Sequence, residues 1–256
     1  MTLKELNIIN FKNIAEATLT FTSGFNCFVG NNGVGKTNVL DAIYHLSMCK
    51  SYFNLPDLQN IRHEEPFFVV QGKYERGGEE LTVYCGVKRG QKKVFKKNQK
   101  AYDKLSEHIG LIPLVMISPE DFILIDGGSE ERRKLVDGII SQCDRVYLHR
   151  LIRYNKALTQ RNMLLKSAAG KFLDPEMLEV WNEQLAEHGE AIRQKRIAFL
   201  KEFRSVFQTY YERLSLGREE VCLEYKPSVK EGNFLTALKQ AADRDLNLIK
   251  HYTVED

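Results

Sequence analysis

Apolar and polar residues alternate over LKELNIINF and again over ATLTF, the period-two pattern of strands with one buried face. The FKNIAE between them predicts a turn. GFNCFVG (24–30) is apolar on both faces, which predicts a strand inside a sheet. In TNVLDAIYHLSMC (37–49), Val39, Leu40, Ile43 and Leu46 recur at helical intervals. Three more strand-like runs follow, FFVVQGKY, ELTVYCGVKR and KKVFKKN, with a hairpin expected at Gly77-Gly78. LIPLVMI (111–117) predicts one further buried strand.

The pattern changes at Ser118. Ser118-Pro119-Glu120-Asp121 combines a capping serine, a proline suited to the first helical position and acids suited to the positive end of a helix. From Ser129 to Leu165 the periodicity is helical throughout. SAAGKFLDPEM predicts a turn, and a long helix follows from Pro175 to about Leu214, so two long helices are expected to pack antiparallel. VCLEYKP (221–227) reads as a strand, and FLTALKQAADRDLNLI as another helix. This organisation predicts residues 1–117 as one lobe and 118–256 as a mainly helical second lobe.

Between the apolar run and the first helix lies Gly30-Asn31-Asn32-Gly33-Val34-Gly35-Lys36-Thr37, followed by Asn38. It fits G-x-x-x-x-G-K-[ST] at every fixed position. Glycines let backbone N–H groups close around phosphate oxygens, and the helix that follows adds free donors and the positive end of its dipole. Lys36 supplies a point charge for the outer phosphates and the Thr37 hydroxyl a ligand for Mg²⁺. The loop therefore predicts binding of a nucleoside triphosphate such as ATP.

The loop alone does not say what it serves. Its surroundings do: LNIINFKNIAEATLTFTSGFNCFVGNNGVGKTNVLDAIYHLSMCKSY, IRHE, MISPEDFILIDGGSEERRKLVD and YNKALTQRNMLLK occur in the order and spacing of the bacterial RecF family. They cover most of residues 1–166, with a looser likeness over 172–256 that includes DRDLNLIKHYT. The resemblance implies an α/β fold, a P-loop ABC/SMC-like ATPase head whose mixed-sheet lobe carries an inserted helical lobe with a long antiparallel helical hairpin. It implies ATP held between two copies of the chain in a dimerisation switch. It also implies DNA binding at gaps and duplex junctions, and action with RecR and RecO to help load RecA. Lys12 and Asn13 match the family's basic-Asn pair that reaches the nucleotide; many relatives have Arg at the first position. Family members continue well past a position like Asp256, carrying the Walker B acids and signature segment there, so hydrolysis by this chain is expected to be very weak. The alternative is an SMC-like ATPase partnered with a nuclease of the overcoming-lysogenisation type, which would need a metal-binding acidic domain that this chain does not contain. A small-molecule kinase is disfavoured by the helical hairpin, where an acceptor lid would be expected.

Net charge is only +3 over 256 residues, so a nucleic-acid partner has to be argued from local clusters. KRGQKKVFKKNQK (88–100) holds seven basic residues and no acid. Lys92, Lys93, Lys96 and Lys97 either contact DNA phosphates or protect a sheet edge against aggregation. Arg150 and Arg153, in the basic run from Arg145 to Arg161, are a second candidate DNA surface or a solvated helix face. Five scattered cysteines (Cys27, Cys49, Cys85, Cys143, Cys222) fit neither a zinc site nor a disulfide framework, and most are expected in the core. MTLKELNIINFKN lacks a signal-peptide core, and no apolar run approaches the roughly 20 residues of a membrane span. A soluble, cytoplasmic protein is expected.

Overall fold

A computed structural model describes residues 1–167, 175–227, 229, 232 and 234–241. The 168–174 part of the expected turn, the part of the last expected helix beyond 241, and DRDLNLIKHYT lie outside these residues. The chain forms two compact units, Met1–Gly128 and Ser129–Asp256.

The first unit is built on a six-stranded sheet in the order β2-β1-β3-β4-β5-β6. Its strands are β1 (Thr2–Phe11), β2 (Ile14–Thr20), β3 (Phe67–Arg76), β4 (Glu79–Lys88), β5 (Val94–Lys97) and β6 (Lys100–Ala101). Every described pairing is antiparallel. Turn chemistry sets the register. Gly77 and Gly78 have φ of 59° and 85° between the paired Arg76 and Glu79, the positive-φ geometry that a two-residue hairpin needs. Asn98 and Gln99 (φ 46° and 66°) do the same between β5 and β6.

One face of the sheet carries Leu6, Ile8, Phe68, Val70, Val83 and Cys85, all fully buried. They pack beneath α1 (Lys36–Met48), whose Val39, Ala42 and Leu46 are buried against them. Burial of each large side chain contributes about 1.5–3 kcal/mol. Gly72 lets the helix come this close, since a Cβ there would lie 2.8 Å from a Leu46 methyl.

In this unit two expected strands, 24–30 and 111–117, do not form. Residues 24–30 and 113–117 have no strand assignment, and Phe25, Val29, Val115 and Ile117 are exposed. A strand takes its hydrogen bonds from a neighbour, and none of the described ladders includes either run. The start signal at Ser118 does fold as a cap. Ser118 Oγ accepts from Glu120 N at 3.2 Å and Ser118 N donates to Asp121 Oδ2 at 2.6 Å, opening a 3-10 turn (Pro119–Phe122) and the short α2 (Ile123–Asp126). This segment lies within the first unit.

The second unit consists mainly of α3 (Ser129–Cys143), α4 (Arg145–Ser167) and α5 (Pro175–Ser215). The continuous helical pattern breaks at Asp144, whose carboxylate accepts from Tyr147 N at 2.9 Å and so caps α4. Contacts of Arg161 with Asn182, Arg150 with Glu187 and Asp144 with Lys195 show that the facing helices run antiparallel. Gly189, inside α5, makes room for Phe234 and Tyr154, which an added Cβ would meet at 2.7 and 3.1 Å. Residues 221–227, expected as a strand, have no strand assignment. Arg204 donates to Leu223 O instead, at 2.7 Å, and the Tyr225 hydroxyl lies 3.5 Å from Arg196. No described helix is long and apolar enough to cross a membrane.

Candidate nucleotide site and basic surfaces

Gly35 is the hinge of the phosphate loop. It adopts φ 106°, ψ 10° immediately before α1, and a Cβ there would sit 2.9 Å from Asn13 Oδ1 and 3.2 Å from Ile14. Only glycine meets both conditions without strain. The start of α1 has no side-chain cap and no acid in its first turn, so its N-terminal donors and dipole remain suited to an anion. Lys36 Nζ donates to the carbonyl oxygens of Gly30 and Asn31, each at 2.8 Å, and its charge therefore bridges the loop from end to start. Thr37, next in α1, is exposed. This donor set, with glycines where the backbone must curl, fits a polyphosphate. Among the described residues no cluster of three His, Cys, Asp or Glu side chains forms a metal site.

The turn between β1 and β2 braces the loop. Asn13 Nδ2 donates to Gly33 O at 2.6 Å, and Asn38 Nδ2 donates to Asn13 Oδ1 at 2.7 Å. The structure thus brings Asn13, Gly33 and Asn38 together. Lys12 goes elsewhere. Its Nζ lies 2.6 Å from Asp41 Oδ2, with the lysine side chain 12% and the aspartate 0% exposed, and 4.6 Å from the Phe53 ring centre. A cleft of about 530 Å³ opens beside the loop between Ile14, Leu19, Phe28, Val34 and Val39.

Sequence reasoning missed the anchor behind this turn. Asp41 also accepts from Ser51 Oγ at 2.8 Å and Tyr52 N at 2.7 Å. Tyr52 in turn donates its hydroxyl to Asp121; burial first, and that carboxylate second, push the phenol up to about 12. The available signal was a carboxylate placed between Val39 and Ala42 on the inward face of the helix.

The basic hairpin is only partly a surface. Lys92 and Lys97 are exposed, and Lys96 Nζ lies 5.4 Å from the Tyr84 ring centre. Lys93 turns inward. It donates to Cys49 O at 2.6 Å and pairs with Asp57 at 2.8 Å, leaving it 13% exposed. Burial raises the Asp57 carboxyl, but contacts from His45 and Lys93 outweigh it and hold the group below the usual carboxylate range. Arg150 is half-buried with Glu187 at 3.8 Å, whereas Arg153 is exposed. Of the cysteines, Cys49 and Cys85 are buried, but Cys27, Cys143 and Cys222 are exposed, against the expectation of a mostly buried set.

Comparison with known proteins agrees with this geometry. The AAA ATPase domain family matches residues 1–231. DNA replication and repair protein RecF of Phocaeicola vulgatus is 52% identical over 246 residues, which is 96% of this chain and 66% of that protein. RecF of Flavobacterium johnsoniae is 49% identical over 99% of this chain and 70% of that protein. A solved structure described as the recombination mediator protein RecF-ATP in the RecFOR pathway superposes with a TM-score of 0.84 at 31% identity, covering 98% of this chain and 68% of that one. The chain thus spans about two thirds of the length of its curated relatives. By sequence and by fold, it belongs to the RecF family of DNA replication and repair proteins.

Proposed function

We propose that this chain binds ATP with Mg²⁺ through Gly30–Thr37 and serves as the nucleotide-dependent part of a RecF-type DNA replication and repair ATPase. The observation that carries the reading is Lys36 spanning the loop to Gly30 and Asn31 in front of an uncapped, acid-free helix start. Backbone N–H groups of the loop and α1 hold the phosphates, Lys36 neutralises their charge, and Thr37 orients the ion. Mg²⁺, when bound, would supply charge neutralisation at the phosphates. Asn13 holds the loop in shape from the neighbouring turn.

In this reading residues 1–117 form the ATPase lobe and 118–256 the helical lobe. ATP favours pairing of two copies, DNA is engaged at gaps and duplex junctions, and the output is assembly with RecR and RecO to help load RecA. These roles rest on family membership.

Calorimetric titration with Mg²⁺ and ATP tests the reading. Saturable heat is expected, with Lys36→Ala weakening affinity about 10- to 100-fold, as for loss of a charge-assisted hydrogen bond worth roughly 1.5–3 kcal/mol. No heat and no thermal protection by ATP, or equal affinity in Lys36→Ala, would overturn it.

A further inference from the structure

The face of the sheet turned away from α1 is mostly polar, as a solvated antiparallel sheet usually is, but it also carries an apolar row and an aromatic ring. Strand register aligns Ile9, Val69, Gly86 and Val94 in one row across β1, β3, β4 and β5. Ile9 and Val94 are 37% and 40% exposed. The adjacent row aligns Asn7, Gln71, Tyr84 and Lys96. The Tyr84 ring lies down over Gly86: a Cβ on Gly86 would be 2.7 Å from the Tyr84 hydroxyl and 3.0 Å from a ring carbon. Lys96 stands 5.4 Å from the centre of that ring, and Lys88, Arg89 and Lys92 are exposed at the same end of the sheet.

From this arrangement we infer that the outer face of β4 and β5, centred on Tyr84, is a stacking platform for single-stranded nucleic acid. The inference rests on the DNA-binding reading above and gives that binding a place and a substrate form. Edge lysines alone would only guard against strand pairing. They would not require an aromatic ring laid flat on a glycine, nor an apolar row beside it. A flat ring with one cation beside it and more exposed cations along the same hairpin suits an unpaired base stacked on the ring, with its phosphates against Lys96, Lys88 and Lys92. Duplex DNA hides its base faces and would use the cations only.

Fluorescence anisotropy of the full chain with labelled oligo(dT), and with a duplex of equal length, tests the inference. Tyr84→Ala should weaken oligo(dT) binding about tenfold or more, in line with roughly 1–3 kcal/mol per stacked base, while barely changing duplex binding. Tyr84→Phe should keep the affinity, because the ring and not the hydroxyl stacks. Gly86→Ala, which tilts the ring without removing it, should reproduce much of the loss. Melting curves establish that each variant is folded. In a test needing no variant, ultraviolet crosslinking of an iodouracil oligonucleotide to the wild-type chain should mark the peptide containing Tyr84. Adducts only on other peptides, or oligo(dT) affinity unchanged in folded Tyr84→Ala, would overturn the platform while leaving DNA binding standing. Failure of the wild-type chain to bind either nucleic acid would overturn both.

Discussion

Lys12 Nζ sits 2.6 Å from Asp41 Oδ2, joining the turn after β1 to the buried face of the phosphate-loop helix. The family likeness gives Lys12 to the nucleotide, but the structure gives it a protein partner in a nearly dry site. Asp41 also takes the Ser51 hydroxyl and the Tyr52 amide, so the carboxylate has three partners, and among the described residues Lys12 is its only cation.

Removing either member should therefore destabilise the fold itself. Breaking a buried pair from one side costs about 3–5 kcal/mol, because a desolvated charge is left behind. Urea unfolding of Asp41→Ala and Lys12→Met, without nucleotide, should show losses of that order. A double Lys12→Met, Asp41→Leu variant should lose less than the sum. A Lys12→Met protein as stable as wild type but impaired in ATP binding would instead assign the residue to the ligand.

A second pair governs acid sensitivity. Lys93 and His45 hold the Asp57 carboxyl below its ordinary value despite burial. A group depressed in the folded state contributes stability that is fully present above its unfolded value, near 3.9, and is lost as pH falls through the lower folded value. Melting temperatures measured from pH 5 downwards should fall for the wild type, with a shallower acid limb for Lys93→Met, which starts from lower stability at neutral pH. Parallel curves would remove Asp57 from the account.

The helical unit has its own clamp. Arg196 reaches Asp137 with two hydrogen bonds of 2.8 and 2.7 Å, and the Tyr147 hydroxyl donates to the same carboxylate at 2.5 Å. The fork makes the position specific for arginine. Arg196→Lys should lower stability by about 1–3 kcal/mol, for loss of part of a charge-assisted pair, and Arg196→Met by more. Circular dichroism melts of the two variants check the order.

What the sequence revealed follows from the range of each interaction. The phosphate loop, the Ser118 cap and the Gly77-Gly78 hairpin are written within a few consecutive residues, and each folds where the pattern places it. The fate of a charge is decided at a distance. Lys92, Lys93, Lys96 and Lys97 look alike in sequence, yet Asp57 draws Lys93 inward and Tyr84 takes Lys96 onto the sheet. The platform at Tyr84 depends on strand register bringing Lys96 opposite it, which no local window contains. Likewise, alternation or apolarity marks a segment able to be a strand, but residues 24–30 and 113–117 show that a ladder partner decides the outcome.

Those two runs carry the last prediction. Phe25 and Val29 are 101% and 93% exposed, and Val115 and Ile117 are 77% and 82% exposed. Such segments combine high strand propensity with exposed apolar side chains, the combination that invites association. Replacing Val115 and Ile117 with lysine removes no buried contact, so folding stability should change by no more than about 0.5 kcal/mol, as for other exposed sites. Self-association should fall instead. Sedimentation over a concentration series should show the wild-type chain shifting to larger species and the Val115→Lys, Ile117→Lys variant shifting less, with weaker binding of a hydrophobic dye. A variant that unfolds, or that associates as strongly as wild type, would show that these residues are held in contacts beyond those described.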